Sequence, residues 1–281
     1  ADSDDKDKDG DIDLVVIGEW MKPTLLLNDG KGKLTAKEID EAGSGLWWTI
    51  EKGDFDNDGD SDFILGNLGW NNKFGGSRGT KLEVYSSDFD HNGDFDVVLA
   101  TTKKDKLLPV RGRECSSQEV PYVLEKFPTY ESFANAKLSE IYPEEALESS
   151  VHKKLSTMSS IYLQNNGDGT FSSIDLPLLC QAGPVKAFYV DDINGDSIAD
   201  FIYAGNHLPT EVETARYDGL YPGICIGDGK GNFTCQTTFV DGKLRVEDAR
   251  DIRKINLQNG KAVYLVANNN QTMRVYSINQ N

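Results

Sequence analysis

The sequence predicts an all-β protein built from repeated strand–loop–strand units, and two observations carry that prediction. One nine-residue Asp-rich pattern occurs four times in the 281 residues, and each copy is followed at once by a short apolar run. The 27 glycines include several Asn-Gly and Asp-Gly pairs, which are typical of tight turns between antiparallel strands. A hydrophobic content of 38% is enough for a packed core.

The Asp-rich loops begin at residues 5, 54, 88 and 192, and each has a carboxylate or amide side chain at positions 1, 3, 5 and 9. Side chains at alternate positions of a short loop converge on one point, and the main-chain carbonyl of position 7 adds another oxygen. Glycine at position 6 permits the sharp turn, although the last loop has Ser197 there. The predicted metal ligands are Asp5, Asp7, Asp9, Asp11, Asp13, Asp54, Asp56, Asp58, Asp60, Asp62, Asp88, Asp90, Asn92, Asp94, Asp96, Asp192, Asn194, Asp196, Ile198 and Asp200.

Calcium is the expected cofactor, with up to four sites. Six or seven hard oxygens match its preference, whereas magnesium usually retains waters, and a ligand set without Cys or His excludes a preference for zinc. An EF-hand shares the first half of the pattern but requires Glu at position 12, where this chain has Val16, Leu65, Leu99 and Tyr203. The alternative is four acidic turns without a cation, which mutual repulsion of the carboxylates disfavours.

Strand-like runs flank these loops. Trp47–Lys52, Leu82–Ser87 and Val185–Val190 precede three of them, and apolar runs follow all four. Gly-rich hairpins are predicted around residues 25–34, 161–171 and 224–233. The stretch 254–267 resembles a fifth copy that has lost its acidic ligands.

The units have the length of β-propeller blades, each with four strands A to D and the Asp-rich loop between strands A and B. We predict a single β-propeller domain over 1–281, with about five blade units, either closed or part of a larger propeller. The unit boundaries are about 1–42, 43–78, 79–180, 181–240 and 241–281, and the second unit lacks a hairpin. Residues 103–156 are predicted to be an insertion with short helices around Tyr130–Ala136 and Glu144–Ser150.

Composition excludes some functions. The net charge of −17 argues against a nucleic-acid partner, and no apolar run is long enough to predict a membrane span. Four cysteines are too few for a disulfide scaffold, although Cys225 and Cys235 flank a hairpin turn and either pair or stay free. Because the chain begins inside an Asp-rich loop, we expect a further upstream domain in the full-length protein.

These loops and the Asn-Asp-Gly hairpins resemble the FG-GAP/VCBS repeats of integrin α-subunit propellers and of many secreted bacterial proteins. The stretches Gly66–Gly69, Arg111–Ser117, Leu176–Gln181 and Ala204–Asn206 look like those of large Bacteroidetes-type VCBS-repeat surface proteins. The resemblance covers nearly the whole chain. It implies a propeller fold, calcium in the blade loops and an extracytoplasmic location (secreted, periplasmic or on the outer surface), and it implies little about activity.

In a propeller blade the A–B and C–D connections lie on one face, so residues after each B strand meet on the opposite face. Amides and tryptophans there suit hydrogen bonding and stacking against a sugar. The alternative is that the asparagines satisfy turn backbone, that the tryptophans fill gaps between blades, and that the charged residues pin long loops by salt bridges. The candidate ligand-binding residues are Glu19, Trp20, Asn67, Trp70, Asn71, Arg111, Arg113, Asn206, His207, Glu211, Arg216 and Asn268.

Two functional hypotheses follow. The first is a noncatalytic, calcium-stabilised ligand-binding or scaffold/adhesion module whose partner is a polysaccharide or protein at a cell surface. The second is a carbohydrate-active propeller enzyme, either a glycoside hydrolase or a polysaccharide lyase, because paired carboxylates beside arginine suit that chemistry. The candidate groups are Glu211, Glu213, Arg216, Tyr217 and Asp218 in the long connection after Asn206, together with Arg111, Arg113 and Glu114. No catalytic residue is assigned, since none of these spacings is diagnostic.

Overall fold

The computed structural model describes residues 1–5, 10–74, 82–211, 214–237, 246–258 and 260–277. Contacts divide the chain into two compact units, residues 1–78 together with 157–281, and residues 79–156. The strands in chain order are β1 (Asp2–Asp4), β2 (Asp13–Val16), β3 (Glu19–Met21), β4 (Thr24–Asn28), β5 (Leu34–Glu38), β6 (Gly45–Leu46), β7 (Thr49–Gly53), β8 (Asp62–Gly66), β9 (Leu82–Ser87), β10 (Asp96–Lys103), β11 (Lys106–Pro109), β12 (Val151–Lys154), β13 (Ile161–Asn165), β14 (Phe171–Asp175), β15 (Val185–Asp191), β16 (Asp200–Gly205), β17 (Gly223–Gly227), β18 (Phe233–Thr237), β19 (Ala249–Asn256), β20 (Ala262–Asn268) and β21 (Arg274–Tyr276).

Helices are few and short. Two 3-10 helices, Asp40–Ala42 and Leu178–Gln181, lie in the larger unit. The α-helices are α1 (Arg113–Glu119), α2 (Tyr122–Lys126), α3 (Tyr130–Asn135), α4 (Leu138–Ile141) and α5 (Glu144–Ser149). No helix in the described part of the chain is long and apolar enough to cross a membrane.

The larger unit contains four antiparallel sheets. The first has the order β1-β2-β4-β5, the second β7-β8-β13-β14, the third β15-β16-β17-β18 and the fourth β19-β20-β21. In each of the first three sheets an Asp-rich loop joins the first two strands and a Gly-rich turn joins the last two. Strands β3 and β6 form a separate two-stranded pair. The chain is therefore a β-rich repeat fold, as the sequence predicts.

The sheet order corrects the predicted unit boundaries. Strand β13 pairs with β8, with Ile161 opposite Leu65, so the hairpin of residues 161–175 completes the second sheet and not a third unit. The second unit therefore has a hairpin, and residues 79–156 separate its second and third strands. Sequence order alone assigned this hairpin to the nearest upstream loop. Packing decides otherwise, because Leu163 shares a core cluster with Phe63 and Leu65.

The smaller unit begins well before the predicted insertion and includes the third Asp-rich loop. Its sheet has the order β11-β10-β9-β12, and the five α-helices belong to it. Helices α3 and α5 match the two predicted helices to within one residue at the C-terminal ends. Thr129 caps α3, since its hydroxyl accepts a hydrogen bond from the main-chain N–H of Ser132 (3.1 Å).

Apolar side chains join the four sheets of the larger unit in succession. Val15 of the first sheet and Phe63 of the second share one core cluster. A second cluster joins the second and third sheets, and a third joins the third and fourth. Strand β8 is buried along its whole length because both its faces are covered, which explains its continuous apolar run. Trp47 is 2% exposed and belongs to the core.

Candidate functional site

The described Asp-rich loops share one backbone path. Positions 4 and 6 of each loop have a positive φ, a conformation that L-residues other than Gly and Asn adopt at a cost. Those pairs are Asn57 and Gly59, His91 and Gly93, and Gly195 and Ser197. Ser197 therefore adopts the left-handed conformation (φ 67°) that glycine provides elsewhere. The loop at 192 keeps the shape of the others despite its different residue at position 6.

The loop at 54 gathers carboxylates around its own amides. Asp54 accepts hydrogen bonds from the N–H groups of Asp58 (3.2 Å) and Gly59 (3.1 Å). Carboxylate oxygens of Asp54, Asp56 and Asp58 lie within 4.8 Å of one another. An exclusively hard-oxygen set of this kind fits calcium, and Asp60 would contribute its carbonyl.

The loop at 88 is built in the same way. Asp88 accepts from the N–H groups of Asn92 (3.0 Å) and Gly93 (3.0 Å), and oxygens of Asp88, Asp90 and Asp96 lie within 4.8 Å of one another. The donor set again fits calcium. Asn92 and the carbonyl of Asp94 are the remaining predicted ligands, and the Asn92 side chain accepts from the Asp94 N–H (2.7 Å).

The loops at 192 and 5 have their own side-chain contacts among the described residues. In the loop at 192, the Asn194 amide donates to Asp196 (2.8 Å), and Asp192 accepts from Gly195, Asp196 and Ser197. Ile198, predicted to act through its carbonyl, donates its N–H to Asp196 (2.9 Å). In the loop at 5, Asp5 accepts from Gly10 N–H (3.1 Å). Asp7 and Asp9 lie outside the described residues, and Asp11 is partly buried.

The position 9 aspartates have a structural role that the spacing did not reveal. Asp62 is fully buried, and it accepts hydrogen bonds from the Phe55 N–H (3.2 Å), the Asn165 N–H (2.8 Å) and the Tyr162 hydroxyl (2.8 Å). It therefore ties the Asp-rich loop to the neighbouring Gly-rich hairpin of the same sheet. We call such a residue a latch aspartate.

The latch recurs in the first and third sheets of the larger unit. Asp200 accepts from Ile193 N–H (2.9 Å) and Gly227 N–H (2.8 Å), and Asp13 accepts from Asn28 N–H (2.8 Å). In the smaller unit Asp96 accepts from Phe89 N–H (2.9 Å). Burial raises the pKa of Asp62 to about 6 against the effect of its hydrogen bonds, and burial also raises the pKa of Asp96 and of Asp200.

Two asparagines of the predicted ligand set turn out to be interior. Asn67 and Asn206 are fully buried, so the structure corrects their assignment to a ligand surface. The Asn67 oxygen accepts from the N–H groups of Leu46 (3.2 Å) and Leu68 (2.8 Å). The Asn206 amide donates to the carbonyls of Leu220 (2.7 Å) and Glu247 (2.9 Å) and accepts from Leu220 N–H (2.9 Å). Both satisfy main-chain groups, which was the alternative interpretation of these residues.

Other predicted ligand residues remain at the surface or are partly engaged. Trp70 donates its indole N–H to Ser159 (2.9 Å), and Asn268 donates to the Thr272 carbonyl (3.0 Å). Asn71 is exposed, and Trp20 is partly buried with a positive φ of 60°. None of these four is part of the cluster described next.

Three of the predicted charged residues form hydrogen bonds or ion pairs with residues of their own loop or helical segment. Arg111 pairs with Glu119, and Arg113 donates to the Phe127 carbonyl (2.6 Å) and to Glu114 (3.0 Å) within the smaller unit. In the larger unit Glu211 accepts from the Thr214 hydroxyl (2.9 Å), and Arg216 is exposed. These contacts match the salt-bridge and loop-pinning interpretation of Arg111 and Arg113.

One cluster in the larger unit brings predicted and unpredicted residues together. The Trp48 indole N–H donates to Glu19 (2.7 Å), and the Trp48 ring stacks with His207 at a centroid distance of 6.3 Å. The Lys186 ammonium lies 4.3 Å from the centre of the Trp48 ring and 2.8 Å from His207 Nδ1. We call Glu19, Trp48, Lys186 and His207 the Trp48 cluster. Sequence reasoning found Glu19 and His207 but missed Trp48 and Lys186.

A β-bulge aims Lys186 into this cluster. The β15–β16 register shifts between Val185 and Ala187, which leaves Lys186 unpaired in the ladder. The β19–β20 register shifts in the same way between Ala249 and Asp251, which leaves Arg250 unpaired. Equivalent bulges at the start of two successive sheets thus carry the two cations. The only sign of this in the sequence is that the second residue of β15 is a lysine among apolar residues.

Two cations, Lys186 and Arg250, lie at or beside the cluster in a chain whose net charge is −17. Arg250 pairs with the buried Asp248, whereas no described carboxylate lies within ion-pair distance of Lys186. Burial, and then the positive charge of Arg250, lower the pKa of Lys186 to about 8. Burial and the neighbouring Lys186 and Arg250 also lower the pKa of His207, so its Nδ1 accepts from the ammonium and its ring is neutral near pH 7.

The repeated sheets and the Asp-rich loops place the chain in the class of β-rich repeat proteins. Within it, residues 5–65 match the FG-GAP-like repeat. This match runs from the first Asp-rich loop through the second loop into β8. None of the curated proteins matches the chain.

Proposed function

We propose that this protein is a noncatalytic, calcium-stabilised binding module whose Trp48 cluster binds a carboxylate-bearing polysaccharide. The observation that carries the proposal is the Lys186 ammonium, which lies on the face of Trp48 without a carboxylate partner among the described residues. In a chain of net charge −17, a partly buried cation that no described carboxylate contacts fits a site that receives a carboxylate from a ligand, although the more distant Asp248 and Glu19 raise its pKa.

The chemistry of the cluster favours an anionic sugar. A uronate carboxylate would accept a hydrogen bond from Lys186, and the indole of Trp48 suits the apolar face of a sugar ring. Glu19 accepts a hydrogen bond from Trp48, and Asp248 pairs with Arg250, so these two carboxylates position Trp48 and Arg250. Since the described carboxylates near the cluster already have partners, binding accounts for the geometry better than acid–base catalysis does.

Calcium in this proposal stabilises the fold. Asp54, Asp56 and Asp58 in one loop, and Asp88, Asp90 and Asp96 in another, would hold an ion through side-chain oxygens. An ion there would neutralise carboxylates that otherwise repel one another within one short loop. The latch aspartates then transmit the order of the loop to the hairpin of the same sheet.

We further propose that the four sheets of the larger unit are consecutive blades of a β-propeller. Two findings support this: the sheets follow one another in chain order, and apolar cores join each sheet to the next. A disulfide between Cys225 and Cys235 supports the proposed extracytoplasmic location, since disulfides persist in oxidising compartments.

Binding to polygalacturonate, compared with the same polymer after methyl esterification, tests the proposal. Esterification removes the carboxylate charge and keeps the sugar backbone. We expect measurable binding of the acid form in calcium, weakening with added salt, and at least a tenfold loss with Lys186→Met. Lys186→Arg keeps the charge and is the matched control. Equal binding of both polymers, or full binding by Lys186→Met, contradicts the proposal.

A further inference from the structure

We propose that three cysteines of the larger unit form a thiol–disulfide exchange site, in which Cys180 attacks Cys225 and releases Cys235. Cys225 and Cys235 are directly opposite each other in the β17–β18 hairpin and form a disulfide. The free thiol Sγ of Cys180 lies 3.7 Å from the Sγ of Cys225, at van der Waals contact. All three sulfur atoms lie within 4.8 Å of one another in a bent arrangement, so the in-line approach that exchange requires is reached only when Cys180 moves as this region opens.

The fold fixes Cys180 beside the disulfide. It belongs to the 3-10 helix Leu178–Gln181, between the second and third sheets, and its N–H donates to the Pro177 carbonyl (2.8 Å). The neighbouring Gln181 side chain is fully buried and donates to the carbonyls of Ser160 (2.7 Å) and Leu176 (3.0 Å). Cys180 and Cys225 share one core cluster, so the contact between their sulfurs is part of the packed interior.

The exchange balances without an external oxidant or reductant. The Cys180 thiol loses its proton, its thiolate forms a bond to the Cys225 sulfur, and the Cys225–Cys235 bond breaks. Cys235 leaves as a thiolate and takes up a proton, so one disulfide and one thiol remain. Cys225 is fully buried and Cys235 is partly exposed, which places the leaving thiolate where water can stabilise it.

The two pairings would tie the fold differently. The observed disulfide closes a separation of 10 residues across one hairpin, whereas a Cys180–Cys225 bond would span 45 residues and link the 3-10 helix to β17. Because burial raises the pKa of the Cys180 thiol, the thiolate is rare in the closed fold and exchange requires local opening. When this region opens, the exchange therefore replaces a disulfide within one hairpin by a disulfide between the 3-10 helix and the third sheet.

Replacing the leaving cysteine tests the site. Cys235→Ser is made in a Cys115→Ser background, and the protein is folded under oxidising conditions. We expect a Cys180–Cys225 peptide by mass spectrometry and no free thiol by titration in denaturant. Cys115→Ser alone is the control and retains one free thiol. Two free thiols in the double variant would overturn the proposal.

A second measurement uses the native chain and does not depend on the variant folding. The protein is held in mild urea at about pH 8.5, where a larger share of thiol is ionised, and is then alkylated and mapped. We expect chains in which Cys235 is alkylated and Cys180 is linked to Cys225. If alkylation is found only on Cys180 and Cys115 and every disulfide joins Cys225 to Cys235, the exchange does not occur.

Discussion

The latch aspartate of the second sheet gives the sharpest mutational prediction. Asp62 is fully buried and accepts three hydrogen bonds, from Phe55, Tyr162 and Asn165. Asp62→Ala leaves these three donors without that partner in the interior. At about 1–3 kcal/mol for each unsatisfied buried group, and allowing for relaxation, we expect a loss of about 3–6 kcal/mol in the free energy of unfolding.

A matched control lies in the same loop. Asp58 is exposed and its carboxylate accepts from the N–H of Asp60 (2.8 Å), so without calcium Asp58→Ala should cost about 0.5 kcal/mol or less. With calcium at about one hundred times its dissociation constant, a site on the native state contributes about 2.7 kcal/mol, and Asp58→Ala should remove much of that contribution.

Urea unfolding with calcium and with chelator separates the two roles. Tryptophan emission is a suitable signal because Trp47 is buried in the core that joins the first and second sheets. We expect Asp62→Ala to be destabilised in both conditions and Asp58→Ala chiefly in calcium. If Asp62→Ala costs less than about 1 kcal/mol in chelator, the latch reasoning is wrong.

Three further predictions follow from individual residues. Ser197→Gly should stabilise the protein by about 0.5–1 kcal/mol in urea unfolding, because glycine adopts the positive φ of that position without strain, whereas Ser197→Ala should give no gain. Asn206→Ala should cost about 2–4 kcal/mol, since it removes three buried hydrogen bonds to main-chain groups, and a cost below about 1 kcal/mol would contradict its structural role. The pKa of Lys186 is lowered to about 8 in the fold, so below pH 8 the protonated lysine destabilises the folded state. Stability should therefore rise as pH increases from about 8 toward 10.5, while affinity for a uronate should fall over the same range; Lys186→Met should abolish both trends.

The repeated loops made the strands and their order predictable. The sequence predicts a strand after each Asp-rich loop and before three of them, and β8 and β16 begin at Asp62 and Asp200, position 9 of their loops. Strand β1, before the first loop, was not predicted. The sequence did not predict which distant segments pair. The hairpin at 161–175 follows the smaller unit in sequence, and only the burial of Ile161 and Leu163 against β8 assigns it to the second sheet.

The candidate site was only half predictable for a related reason. Topology placed Glu19 and His207 after second strands of their sheets, and both contact Trp48. The same topology selected Asn67 and Asn206, but their amides satisfy main-chain groups within the larger unit. Lys186 was missed because a β-bulge turns it toward Trp48, and one extra residue in a strand leaves no mark in the apolar pattern.

Thermal unfolding of the unmodified chain with calcium and with chelator tests the central proposal most directly. Up to four ions on native-state sites should raise the midpoint by several degrees, and the rise should grow with calcium concentration. Magnesium at the same concentration should have a smaller effect. If the midpoint is the same in calcium and in chelator, the Asp-rich loops are not structural calcium sites, and the proposed role of calcium is wrong.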